Sequence, residues 1–392
     1  MFGQLCLNLC ACISLVLTVL SVFSIGIDNL NVRGLVIFFG VCYLLAAVGS
    51  MFSGSVIVRG VSVAFGMSLL VLMAWTLSYK VGRQFFAILI IFFILLSVGV
   101  ANFSSSGGRS VFTVFVALAA FGMAWAAIYH NATMLFFEVP FYLFLGLTVW
   151  FVFLGYGPDE FNMVFEGYSR NGYSAVLMLF AIGYIFSRCY RSLNVSIVLM
   201  AAVVVCSIPL YGRTGIAMAS VLFLVALWSR HKIIAANLSV LVLLVPVFLA
   251  SDIGAYISAH TNFSSGVDSP RFVMWVGYLE RMDLLGFLFG VDLNSVPMIA
   301  DYNGNPHNAF FLLHAYYGVG FFALFLCFLG SFFFLLMDSR WVFVALLLIF
   351  LVRSFFDIIY LFGLLDYLVF PILFYSVFRR LLNEEETGAR AD

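Results

Sequence analysis

The chain has 392 residues, is 65% hydrophobic and 9% charged, and carries 18 basic and 18 acidic residues, so it has no net charge at pH 7. Soluble domains carry about 25% charged residues, which excludes an ordinary soluble globular protein. The charge balance also gives nucleic acid no electrostatic reason to bind.

A helix that crosses a bilayer needs about 20 apolar residues. Candidate stretches are 5–27, 34–52, 60–79, 84–102, 111–129, 137–155, 173–187, 194–211, 214–229, 233–250, 308–336, 341–356 and 361–378. The first has the hydrophobicity of a signal peptide but lacks a basic n-region and a clear cleavage site, so it is read as a span. The predicted fold is an all-α, polytopic membrane protein with about 12–13 transmembrane helices, residues 1–392 forming one membrane domain. Two polar segments interrupt it, 156–172 and 251–307, and 383–392 reads as a cytoplasmic tail. The basic clusters SRCYRS (187–192), SRHK (229–232), DSR (338–340) and FRRLL (378–382) all fit the cytoplasmic side. Both polar loops and the turn Tyr211-Gly212-Arg213-Thr214 then share the opposite face. Counting six spans before residue 156 puts the N-terminus on that face too, with Arg59 and Arg109. A cytoplasmic N-terminus needs one span more or fewer, and the parity stays open.

Along the chain, the shorter loop offers Arg170 in EGYSRNGY, either an interfacial anchor or part of a positive site. Its neighbours Tyr168 and Asn171 can hydrogen-bond a sugar. Arg213, in IPLYGRTGIAMA, either snorkels at an interface or binds an anion between Gly212 and Gly215, where a bare backbone admits close approach. In the long loop, Ser269-Pro270 reads as the start of an amphipathic surface helix with Phe272, Trp275, Val276 and Leu279 on its apolar stripe. Arg271 in its first turn opposes the helix dipole; it either pairs with Asp268 or meets a bound anion at the helix N-H groups. Arg281 lies beside Glu280 and Asp283 and reads as structural.

The stretch GNPHNAFF (304–311) precedes an apolar run. Asn305-Pro306-His307-Asn308 is either a capping sequence or the frame for a fixed imidazole that can take a proton near neutral pH. His314, two turns on, either supports the site or is packed. Arg353 and Asp357 form either a buried ion pair or part of the site.

Three arginines and a histidine on one lipid-adjacent face suit a substrate that is anionic and lipid-linked, because the guanidinium fork pairs two phosphate oxygens at once. No G-x-x-x-x-G-K-[ST] motif supports ATP as the energy source, and no cofactor is expected. No acidic pair makes a compelling metal site, although Asp268, Asp292 and Asp301 remain open. The seven cysteines form no C-x-x-C pair or Cys/His cluster and read as packing residues.

In GRTG (212–215), SPRFVMW (269–275) and NPHNAFFLLHAYYG (305–318), the chain resembles the bacterial O-antigen ligase/polymerase family of membrane glycosyltransferases. The resemblance covers roughly the C-terminal half. It implies a multi-pass inner-membrane enzyme whose periplasmic site transfers a glycan from undecaprenyl diphosphate to an acceptor, without nucleotide sugar or metal. Arg213 and Arg271 would hold the diphosphate, with Arg170 adding charge, and His307 would orient or deprotonate the acceptor hydroxyl. Asn308, Asp268, Asn171 and His314 would contact the acceptor or support the site. The expected partners are the lipid-linked glycan and membrane lipids, with a chain-length regulator protein as an optional further one. Two details depart from ligases. The second glycine after His-Asn is Gly320, one position early, and Tyr316-Tyr317 replaces a polar or acidic residue. With the compact loop, these favour a repeat-unit polymerase over a ligase that transfers to lipid A core. A lipid-linked glycan transporter and a chain-length scaffold are the readings from other classes.

Overall fold

A computed structural model describes residues 32–76, 83–210, 213–239, 270–358 and 361–379. The expected span 5–27, most of 233–250, the first part of the long loop and the acidic tail lie outside the described residues. What is described is helical, with no strand.

The elements in chain order are α1 (Val32–Ser53), α2 (Val56–Thr76), α3 (Arg83–Ala101), α4 (Arg109–Tyr129), a π-turn (Met134–Glu138) that runs into α5 (Val139–Phe153), α6 (Pro158–Val164), α7 (Arg170–Tyr190), α8 (Ile197–Ser207) and α9 (Arg213–Arg230). The C-terminal part contributes α10 (Pro270–Glu280), α11 (Leu284–Phe289), α12 (Pro297–Asp301), α13 (Ala309–Tyr317), α14 (Gly320–Met337), α15 (Trp341–Phe356), a 3-10 turn (Leu364–Leu368) and α16 (Phe370–Leu373). Among the described residues, six helices are long and apolar enough to cross a membrane, and four shorter apolar helices accompany them. This is an all-α, multi-pass membrane protein.

Burial separates inner from outer helices. The α7 span is 89% buried and the α4 span 72%, whereas the other four long spans lie between 33% and 44% and turn much of their apolar surface outward. Lipid replaces water around the outer helices, so helix association there depends on close packing. The α2–α4 crossing shows how it is achieved: a Cβ built on Gly122 would fall 2.6 Å from the Gly66 carbonyl oxygen, so only glycine lets the backbones approach this far.

Two expected spans are broken. The run 308–336 splits into α13 and α14 at Gly318, where φ is +50°. The backbone of α11 fills the break: Leu288 O accepts from Val319 N–H at 3.0 Å, and a Cβ on Gly318 would collide with that same carbonyl. The run 361–378 begins as a 3-10 turn followed by the short α16. Its main chain is tied across the bundle, with Tyr43 Oη donating to Leu364 O and Tyr367 Oη to Phe136 O.

Polar clasps close the face that carries the basic clusters. Glu138, 1% exposed, accepts from Ser187 Oγ at 2.8 Å and Arg191 Nη1 at 2.9 Å, with Arg188 Nη1 at 3.5 Å. Asp338 takes a forked pair of bonds from Arg379 at 2.6 and 2.8 Å. Removing one partner of a buried ion pair strands the other charge and costs about 3–5 kcal/mol; the two arginines of Glu138 are partly solvated, so Glu138→Ala should cost about 2 kcal/mol on the same scale. The measurement is thermal unfolding in detergent, where an unchanged midpoint would show that the clasp contributes nothing.

Candidate functional site

The opposite face gathers the polar loops. Five helices begin there with an arginine in their first turn: Arg59 in α2, Arg109 in α4, Arg170 in α7, Arg213 in α9 and Arg271 in α10. None of the five has an acidic residue in that turn. A cation at a helix N-terminus opposes the macrodipole, so the sequence places positive charge where local helix stability favours negative. N-terminal N–H groups and arginines together make a face that attracts anions.

The turn before α13 is the rigid part. His307 adopts φ +50°, a left-handed backbone uncommon for residues other than glycine. Asn305 Oδ1 accepts from His307 N–H at 2.8 Å, and Asn308 Oδ1 caps α13 by accepting from Phe310 N–H at 2.9 Å and Phe311 N–H at 3.2 Å. Trp275 Nε1–H donates to Pro306 O at 3.1 Å, docking α10 onto the turn. The same indole packs against Phe355 at the end of α15, with ring centroids 4.8 Å apart. One tryptophan thereby joins the elements that carry Arg271, His307 and Arg353. The capping read from the sequence is present in this turn, with Asn308 as the cap of α13.

Arg353 is 3% exposed in the last turn of α15, where a cation suits the dipole. Its Nη2 donates to Asp357 Oδ2 at 3.3 Å and to Asn171 O at 3.1 Å, tying α15 to the head of α7. Arg271 lies within electrostatic reach of Arg353, Asp357 and His307. Burial, opposed by Asp357, draws the Arg271 guanidinium below its ordinary value, and it keeps its positive charge. No carboxylate forms an ion pair with it among the described residues. Burial and then the Arg271 charge lower the His307 pKa, against a smaller upward pull from Asp357. Both influences favour the neutral imidazole, the form that can accept a proton.

The structure brings together Arg271, His307, Arg353, Asp357 and the Asn171 carbonyl. Arg170, half-buried, starts α7 with its N–H bonded to Asn162 Oδ1 at 2.8 Å; among the described residues no bond links its side chain to the cluster. Arg213 begins α9, and its side chain and Asp268 lie outside the described residues. The start of α9 is nonetheless fixed, because Gly215 sits so close to Ser174 of α7 that a Cβ there would collide with the serine oxygen. Asn308 is fully buried and its Nδ2 has no partner among the described residues. His314 belongs elsewhere: Tyr278 Oη meets its Nδ1 at 2.7 Å and its Nε2 donates to Phe287 O at 3.2 Å, so it fastens α10 and α11 to α13. On α10, Met274 and Tyr278 face inward, while Phe272, Val276 and Leu279 are exposed, an amphipathic helix with its apolar stripe outward.

Arg59 and Arg109 enter the sequence reading only through orientation. The structure places both on the wall of a cavity of about 430 Å³ that also reaches Tyr168, Asn305 and Ile358, the last two being chain neighbours of His307 and Asp357. The available signal was the one that singled out Arg271, an arginine opening a helix against its dipole. No protein-family model, curated protein or solved structure matches the chain.

Proposed function

We propose that the chain is a repeat-unit polysaccharide polymerase of the bacterial inner membrane, transferring glycan from undecaprenyl diphosphate to a sugar hydroxyl of another lipid-linked repeat unit at the periplasmic face. The observation that carries the reading is the meeting, at one edge of the helical bundle, of half-buried Arg271, which forms no ion pair among the described residues, with His307 on a turn held by Asn305, Asn308 and Trp275. The acceptor oxygen attacks the anomeric carbon as the bond from that carbon to the diphosphate oxygen breaks. The hydroxyl proton passes to His307, and undecaprenyl diphosphate leaves with the bonding electron pair. Direct displacement inverts the anomeric centre. Negative charge grows on the departing diphosphate, and cations fixed in advance stabilise that growth without reorganising. Arg271 is the cation best placed for this among the described side chains, Arg353 backs it while its ion pair with Asp357 steadies the turn, and the resemblance adds Arg213, which opens α9. The positive-inside tendency puts the Arg188, Arg191 and Arg340 face in the cytoplasm, which supports a periplasmic site.

Purified protein given a synthetic undecaprenyl-diphosphate repeat unit and no other acceptor should produce a ladder of longer lipid-linked glycans. Transfer only when lipid A core is added would make it a ligase. Silence in both assays from folded protein would sink the glycosyltransferase reading in favour of transport.

The α7–α9 contact gives a subtler expectation. Gly215→Ala should push the start of α9 away from α7 and lower transfer about ten- to a hundredfold, since a displacement of about 1 Å can cost that much. Ser174→Gly in the same chain should restore most of the loss by vacating the space. Failure of the second change to rescue the first would disconnect the contact from the activity.

A further inference from the structure

Next to the cavity that reaches Asn305 lies a second, of about 450 Å³, and the two share Arg109, Asn303, Gly304 and Tyr316 on their walls. Both fall within the range of ligand pockets, about 300–1,000 Å³. The outer cavity is lined by Ser104, Ser105, Ser106, Asp292, Asn294 and Asn303, a run of hydroxyl, amide and carboxylate groups that matches the donors and acceptors of a saccharide. Arg109 stands at the junction, its charge within electrostatic reach of the buried Tyr316. Arg59, half-buried on the inner wall, donates to Tyr168 Oη at 3.2 Å. Neither arginine forms an ion pair among the described residues, and both occupy helix first turns that hold no acid. The floor of the inner cavity is apolar, built from Phe112, Val116, Leu179 and Leu312, so a charge there gains little from solvent.

We infer that these joined cavities form an acceptor cleft for an oxyanion-bearing saccharide, with Arg109 and Arg59 holding the anion. This rests on the glycosyl-transfer reading for its role and on the cavities themselves for its existence. The oxyanion is either the carboxylate of an acidic sugar or the diphosphate that carries the acceptor glycan; both present paired oxygens to a guanidinium fork. The site differs from the Arg271–His307 cluster in its residues and comes from the N-terminal half, α2 and α4, together with the turn before α13. Asn305 and Ile358 on its wall are chain neighbours of His307 and Asp357, which links the cleft to the turn that carries the cluster.

Binding of the methyl glycosides of glucuronate, galacturonate and N-acetylneuraminate, of neutral glucose and galactose glycosides, and of inorganic pyrophosphate should be measured by calorimetry on detergent-purified protein. Arg271→Gln should be included so that pyrophosphate at the cluster is told apart from pyrophosphate in the cleft. The expected result is an anion that binds in the Arg271→Gln background and weakens at least tenfold when Arg109→Gln is added, with a similar loss for Arg59→Gln. An acidic glycoside bound where its neutral counterpart is not assigns the anion to the sugar; pyrophosphate alone assigns it to the diphosphate. Equal binding of neutral and acidic probes, no binding at all, or indifference to Arg109→Gln would overturn the inference. Anion binding that depends on Arg109 in a protein with no transfer activity would leave the cleft standing and remove the glycosyl-transfer reading. Transfer that proceeds at full rate in Arg109→Gln would do the opposite.

Discussion

His307→Asn should lower glycan transfer about 10²- to 10⁴-fold, the usual contribution of a positioned general base, while the protein remains folded. Asparagine is the informative replacement because it tolerates the left-handed backbone that His307 adopts at φ +50°. A bulkier aliphatic residue would strain the turn and confuse lost chemistry with lost structure. The pH dependence gives an independent check. The base must be neutral, so activity is present above the His307 pKa and lost as the pH falls through it. Burial and Arg271 lower that pKa, so the acidic limb should lie below the ordinary histidine value of about 6.5. In His307→Asn the limb should vanish from the residual rate. An intact limb in that variant would assign the base to another group.

Arg271→Gln should cost about 10²- to 10³-fold in kcat, the range seen when one preorganised donor to a developing anion is removed. Arg271→Lys should recover only part, since an ammonium is a point charge and cannot form the forked pair of bonds. The same change should move the acidic limb upward, because the cation that holds the His307 pKa down is gone. Asp357→Asn should move the limb the other way, because Asp357 pulls that pKa up. Opposite shifts from two neighbours are difficult to produce by general damage to the fold. A limb that stays put in both variants would show that these groups do not act on a common base.

Hydropathy located the long spans well, since 109–129 and 170–190 need only length and apolar content to be seen. It did not reveal the break at Gly318 or the 3-10 turn at Leu364–Leu368, because hydropathy averages over backbone conformation. Gly318 and Gly320 were visible in the sequence, but the α11 carbonyl that makes glycine necessary at 318 comes from a segment some 30 residues earlier. In the site, Arg271, His307 and Asn308 were legible because each stands in a polar stretch beside an apolar run. Arg353 and Asp357 announced themselves as charges at the end of a span, but their link to Asn171 is a bond to a main-chain carbonyl, which no side-chain pattern reports. His314 shared its helix face with no useful warning that Tyr278 and Phe287 would satisfy it. Arg59 and Arg109 were hidden by their distance from the motif-bearing half of the chain.

The clamps around the site end on main-chain oxygens. Trp275 holds Pro306 O, Arg353 holds Asn171 O, and Asn102 holds both Tyr316 O and Phe289 O. A joint of this kind is blind to the side chain of the residue that accepts. Side chains at positions 171, 289 and 316 can therefore change while the joints that place α7, α11 and α13 around the turn stay fixed.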